Sequence, residues 1–239
     1  MRRFVVGLLM LSLLTIAPRV SVGASTDKAV AAIQKGDFKQ AQKELAPLLE
    51  KNDPNAQFLT GMMYDAGKGV PQDPAKAASW YRKAAAQKHL MAQLYLGVLL
   101  YSGEGVKQDY EEAARQFAAP AEAGNEQAQF YLGRMRAEGQ GVEKDENEAI
   151  ELLSKSAAQR NTRAMGMLAT TLFSRHRDDQ DLIHAYAWAH LAAEMDPIQA
   201  GLSTREVIAR YCSEDQKKQG KKLMADWKKR WAAEDKAAK

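Results

Sequence analysis

The chain has 239 residues, of which 46% are hydrophobic, with 34 Lys and Arg against 30 Asp and Glu and a formal net charge of +4. Cys212 is the only cysteine, so no disulfide within the chain can staple the fold, which must stand on packing. Arg2, Arg3 and Arg19 lie in the first 24 residues, which hold no acid; the remaining 31 basic and 30 acidic residues nearly balance, so most of the apparent basicity belongs to the leader.

That leader, MRRFVVGLLMLSLLTIAPRVSVGA, runs from paired arginines through an apolar stretch at Val5 to Ala17 and ends on Val22-Gly23-Ala24. This is the order of a secretory signal peptide, and it predicts export with cleavage after Ala24, to a periplasmic or secreted location. The apolar run is shorter than the roughly 20 residues a membrane-spanning helix needs. A twin-arginine route lacks its usual polar lead-in, because Phe4 follows Arg3 directly. No cysteine follows the run to carry a lipid.

Beyond the leader the sequence repeats itself. Asp37, Asp73, Asp109, Asp145 and Asp181 share one spacing, and Ala41, Ala77, Ala113, Ala149 and Ala185 follow in the same register. Ala56, Ala92, Ala128 and Ala164 form a second series, with Gly61, Gly97 and Gly133 five residues behind the first three. Each unit reads as two helices: Leu96, Leu99 and Leu100 fall at helical spacing in the first, and Ala113, Phe117 and Ala121 in the second. The aspartates of the first series, Asp37, Asp73, Asp109, Asp145 and Asp181, stand where N-caps are needed, and Pro74 suits a first helical position. Glu112 and Glu148, three residues after their aspartates, predict capping boxes. Gly61, Gly97 and Gly133 inside helices predict close approach of the paired helix, since glycine there is otherwise unfavourable.

The Gly-x-Gly step in SGEGVKQD (Ser102 to Asp109) raises the question of a phosphate loop. Three copies, AGKGVPQD, SGEGVKQD and EGQGVEKD, join helix to helix, whereas a dinucleotide site follows a strand and a phosphate loop carries Gly-Lys-Ser/Thr. The glycines fit left-handed helix ends, with Val70, Val106 and Val142 folding back on the last turn.

The pattern from Ala56 through the Gly-x-Gly-Val loop to the capping aspartate and the following alanines resembles the Sel1-like repeats, relatives of the tetratricopeptide repeat. The resemblance implies an all-α fold, an α/α solenoid in which helical hairpins stack as a right-handed superhelix. Four repeats are expected, at 56–91, 92–127, 128–163 and 164–199, the fourth with SRHRDDQD in place of its glycine loop. A shorter tetratricopeptide-like hairpin at 25–55 precedes them, and a basic capping helix at 200–239 follows. Pro120 stands in a slot held elsewhere by Ala84, Ser156 and Ala192, and predicts a kink or early end to its helix. By the same resemblance, groove-facing positions are Phe58, Met62 and Asp65, then Leu94, Val98 and Tyr101, then Phe130, Arg134 and Ala137. Phe58, Leu94 and Phe130 also fit the core, which leaves Met62, Asp65, Val98, Tyr101 and Arg134 as expected partner contacts.

Catalytic chemistry is poorly supplied, so no catalytic residue, metal site or cofactor is expected. His184 and His190 are six apart, not the i, i+4 pair of a helical zinc site, and YCSED around Cys212 carries no nucleophile signature. Ser25-Thr26-Asp27-Lys28 fits Ser-x-x-Lys, but neither Ser-Asp-Asn nor Lys-Thr-Gly follows, and the paired cysteines of β-lactam-related members of the family are absent. From Gln216 onward there are nine Lys and Arg against three Asp and Glu, with Leu223, Trp227 and Trp231 four apart. That stripe predicts a cap over the last repeat. The reading is an exported, non-enzymatic scaffold binding a protein or peptide in its groove, without nucleic acid. The alternatives are a cell-wall or β-lactam-related hydrolase, or association of the basic tail with an anionic envelope surface.

Overall fold

Helices follow one another without a strand through residues 26–196 and 202–237, the part of the chain that the computed structural model describes. The expected signal peptide and its cleavage point lie outside the described residues, as does Ser25. Twelve helices are present among them: α1 (Asp27–Gln34), α2 (Phe38–Glu50), α3 (Pro54–Ala66), α4 (Pro74–Ala86), α5 (Leu90–Ser102), α6 (Tyr110–Glu122), α7 (Glu126–Glu138), α8 (Glu146–Ala158), α9 (Thr162–Arg175), α10 (Asp179–Met195), α11 (Leu202–Tyr211) and α12 (Glu214–Ala237). They form an all-α, α/α solenoid fold, divided into one unit up to Ala119 and another from Pro120. The boundary falls within α6, which keeps the 13 residues of α4 and α8 and runs past Pro120. The early end expected at that proline does not occur. Pro120 sits near the C-terminal end of α6, where its carbonyl accepts from the N–H of Asn125.

In the first unit, α1 and α2 close an apolar cluster of Ala29, Leu45, Ala56, Leu59 and Met63, with Val70 packed against it. The glycine loop explains how one hairpin turns. At Gly103 the backbone is left-handed (φ 72°), a conformation that suits glycine because there is no Cβ to clash. The N–H groups of Gly103 and Glu104 both return to the carbonyl of Leu99, and that of Asp109 closes on Leu100. These donors point into the protein rather than outward to an anion. Gly105 is required for a second reason: a Cβ there would lie 2.5 Å from the backbone of Pro74, at the start of α4.

The aspartates cap the second helices. Asp73 accepts from the N–H of Lys76, Asp109 from Glu112, and Asp145 from both Asn147 and Glu148. The reciprocal half of a capping box is missing, because the cap N–H groups are already bonded to the preceding helix and the glutamates turn elsewhere. Glu112 accepts from Arg115 and Gln116, and Glu148 pairs with Arg136. Asp181 departs from the series altogether. Asp178 caps α10, while Asp181 is its third residue, buried and bonded to Arg175.

The mid-helix glycines lie against their hairpin partners. A Cβ on Gly61 would meet the Tyr81 ring at 2.6 Å, one on Gly97 the Phe117 ring at 2.7 Å, and one on Gly133 the Leu153 side chain at 3.0 Å. Small residue and large side chain are therefore a matched pair, with a ring as the partner of Gly61 and Gly97.

In the second unit, α12 lies on α10. Trp227 stacks on Trp188 with ring centroids 3.9 Å apart, and the Trp231 indole N–H donates to the Ala158 carbonyl. Arg160 holds both the Trp231 carbonyl and the Asp235 carboxylate. The stripe of Leu223, Trp227 and Trp231 is half-buried, with Met224 and Gly220 buried beside it.

Candidate functional site

The expected partner contacts divide sharply by burial. Asp65 is 3% exposed and Val98 6%, so neither side chain offers a surface to a partner. The first-helix residues turn further toward the paired helix than the groove positions imply, and Asp65 reaches the Tyr81 hydroxyl instead. Phe58, Leu94 and Phe130 are core. Met62 is half-buried and packs against the N-terminal apolar cluster.

Tyr101 and Arg134, half-buried like Met62, also keep accessible surface. Tyr101, at the end of α5, sets its ring edge-on to Tyr110 with centroids 5.2 Å apart. Gln108 ties this pair down, donating to both the Tyr101 carbonyl and the Tyr110 hydroxyl. Arg134, on α7, pairs with Glu138 at 2.9 Å, one helical turn on. Tyr101 belongs to the first unit and Arg134 to the second.

The second unit also carries an aromatic ledge that the repeat pattern did not single out. Tyr211 is 67% exposed, the highest value among the large hydrophobic side chains of the described residues, with Val207 exposed one turn earlier on α11. The ring of Phe173 meets Tyr211 edge-on at 5.2 Å and stacks on His176. Phe173 stands in the same register slot as Asp65, Tyr101 and Ala137, a signal the sequence contained. Tyr211 lies beyond the repeats, where no register could mark it.

The titratable residues that suggested chemistry are separated. His184 and His190 each place Nδ1 against a carbonyl of their own helix, at Gln180 and Tyr186. His89 caps α5, its Nδ1 accepting from the N–H of Ala92 while Nε2 faces Asn55, and burial holds its pKa below the ordinary value. Asp53, Asn125 and Asn161 cap the other first helices in the same register, a series visible in the sequence but overlooked. Cys212 is buried, its thiol pushed up by desolvation and directed at the Leu182 carbonyl. Among the described residues no three His, Cys, Asp or Glu side chains gather as a metal site, and no helix is long and apolar enough to cross a membrane.

A family model for the Sel1 repeat matches residues 54–89, 90–118, 126–161 and 163–197, more than half of the chain. The chain belongs to the Sel1 repeat family. As a Sel1 repeat protein it is similar to one from Oxalobacter formigenes, with 26% identity and a TM-score of 0.64 over 73% of this chain and 72% of that one. It is also similar to a protective antigen present in uropathogenic Escherichia coli strains that displays an SLR fold. There the identity is 26% and the TM-score 0.73, over 86% of this chain and 46% of the antigen, so the alignment spans less than half of that protein. No curated protein matches the chain. Sel1 repeat proteins generally act as scaffolds for protein interaction.

Proposed function

We propose that this Sel1 repeat protein is an exported, non-catalytic scaffold that holds a protein or peptide partner on preformed helical surfaces. The observation that carries the reading is the Tyr211 ledge. A tyrosine two-thirds in water, backed by Phe173 and flanked by Val207, spends apolar surface that folding alone would bury. Tyrosine and arginine dominate the energetics of protein interfaces because each joins a large contact area to a polar end. Tyr101 in the first unit and Arg134 in the second are further contacts of that kind. Asp65 and Val98 no longer belong to the set, and Met62 serves the N-terminal cluster. Dispersal of the histidines and burial of Cys212 favour a scaffold over the hydrolase alternative. The leader's charge and apolar order supports export and a periplasmic or secreted location.

Cross-linked capture from native cell envelopes tests the reading, using the chain beside Tyr211→Ala and beside a Tyr101→Ala, Arg134→Glu double variant. All three should give the same helical circular dichroism. A protein captured by the native chain and lost by either variant supports the scaffold and says whether the Tyr211 ledge or the Tyr101 and Arg134 contacts carry it. Equal capture by all three removes these surfaces from the account.

A second reading rests on α12, whose half-buried stripe leaves Lys218, Lys221, Lys222, Lys229 and Lys236 exposed away from it. Such a row suits weak association with an anionic envelope surface. Sedimentation with vesicles of anionic lipid should then fall steeply as salt rises, and should vanish with neutral lipid.

A further inference from the structure

The first repeat places a carboxyl where the later repeats hold Tyr101, Ala137 and Phe173. Asp65 on α3 is buried against α4, where the Tyr81 hydroxyl donates to its Oδ2 at 3.2 Å. Its other oxygen, Oδ1, is buried without a hydrogen-bond partner. The walls are aromatic: Phe58, Tyr81 and Tyr95 pack with ring centroids 5.5 to 5.8 Å apart. The remaining groups that reach it give an anion little help. Tyr95 on α5 is itself buried, Glu104 in the following loop is a like charge, and Gln72 donates to the backbone carbonyl of Asp65 rather than to its carboxylate. In the next repeat the two slots hold Tyr101 and Phe117, and in the third Ala137 and Leu153. The later hairpins therefore pack without a carboxyl–hydroxyl pair at these slots.

We propose that Asp65 and Tyr81 form a pH-sensitive element in the first unit, in which the carboxyl is packed as a neutral acid and its ionisation loosens the α3–α4 hairpin. A neutral carboxyl leaves one uncharged atom unpaired in the core. An ionised one places a charge there with a single long hydrogen bond, and desolvation opposes that strongly.

Burial raises the Asp65 pKa from 3.8 to about 6, with the Tyr81 hydrogen bond pulling the other way and Glu104 adding to the rise. An acid whose folded value lies above its unfolded one contributes stability that is complete below the unfolded value and lost as pH rises through the folded one. For Asp65 that window runs from about pH 4 to about pH 6, and a shift of this size changes the folding ratio of the unit by about a hundredfold. The carboxylates that carry ion pairs, Asp181 and Glu146 among them, lose stability in the opposite direction, as pH falls. Asp65 is thus read as a difference between variants.

Carbon-13 carboxyl NMR on the full chain, titrated between about pH 3 and about pH 8, reads the group directly, with its signal identified by its loss in Asp65→Asn. The expected midpoint lies near 6. A midpoint in the ordinary aspartate range overturns the proposal. Urea unfolding supplies the second readout: the folding ratio of the native chain relative to Asp65→Asn should drop about a hundredfold between about pH 4 and about pH 6.5, then level off. Parallel curves overturn it. Tyr81→Phe removes the one donor and should move the carboxyl midpoint still higher, which serves if Asp65→Asn does not fold. An unmoved midpoint there also overturns it.

Discussion

The turn inside the second repeat and the turn inside the fourth occupy the same register and are built from different chemistry. In SGEGVKQD, two glycines take left-handed backbone, and the loop closes through its own N–H groups onto the end of α5. In SRHRDDQD there is no glycine. Arg175 reaches across the turn to grip both oxygens of Asp181, and the Arg177 N–H adds a third bond. Asp181 is 4% exposed, and its pKa is held below the ordinary carboxylate value, first by the Arg175 hydrogen bonds. One turn stores its geometry in the backbone and the other in a buried charge pair. The second therefore depends on the ionisation of one carboxylate more than the first does.

Breaking the charge pair should produce the largest effect. Arg175→Ala leaves Asp181 buried without its cation and should cost about 3 kcal/mol in urea unfolding at neutral pH. The native chain's advantage over that variant should shrink as pH falls below the ordinary aspartate value of 3.8, because protonating Asp181 removes the charge that Arg175 serves. Next in size is the glycine–ring match. Gly97→Ala forces a methyl into the Phe117 ring and should destabilise by about 2 kcal/mol, read as a lower thermal midpoint. Removing the cap that ends the glycine turn is milder: Asp109→Ala should cost about 1 kcal/mol. The smallest effect has the opposite sign. A Cβ on Gly166, within α9, would meet no atom within 4 Å, so Gly166→Ala should stabilise by about 0.5–1 kcal/mol. Were Gly97→Ala also stabilising, close approach would not be what selects glycine at that slot.

The repeat register exposed what recurs and hid what occurs once. Asp73, Asp109 and Asp145 cap helices because their job is local and repeats with the hairpin, so one spacing reveals them all. Gly61, Gly97 and Gly133 were legible for the same reason. The register misled at Asp181, where the position persisted and the role moved to Asp178. It also misled at Asp65 and Val98, because groove positions taken from a related repeat assume a helix rotation that burial here contradicts. The clamp that Gln87 makes with Gln57 and the Asn52 carbonyl recurs two repeats on, where Gln159 bonds Gln129 and the Gly124 carbonyl; the spacing marks the glutamines, but only the folded hairpin shows that they meet. Tyr211 was invisible for a different reason: exposure is a property of what fails to cover a residue, and no local pattern encodes it.

The scaffold account stands most directly on Tyr211, and the decisive measurement is the affinity of a protein captured by the native chain, for that chain and for Tyr211→Ala, by titration calorimetry. A central interface tyrosine predicts a loss of about 2 kcal/mol, roughly thirtyfold in Kd, with the thermal midpoint unchanged. Equal affinity for both chains would contradict the account and leave the ledge as exposed surface without a binding role.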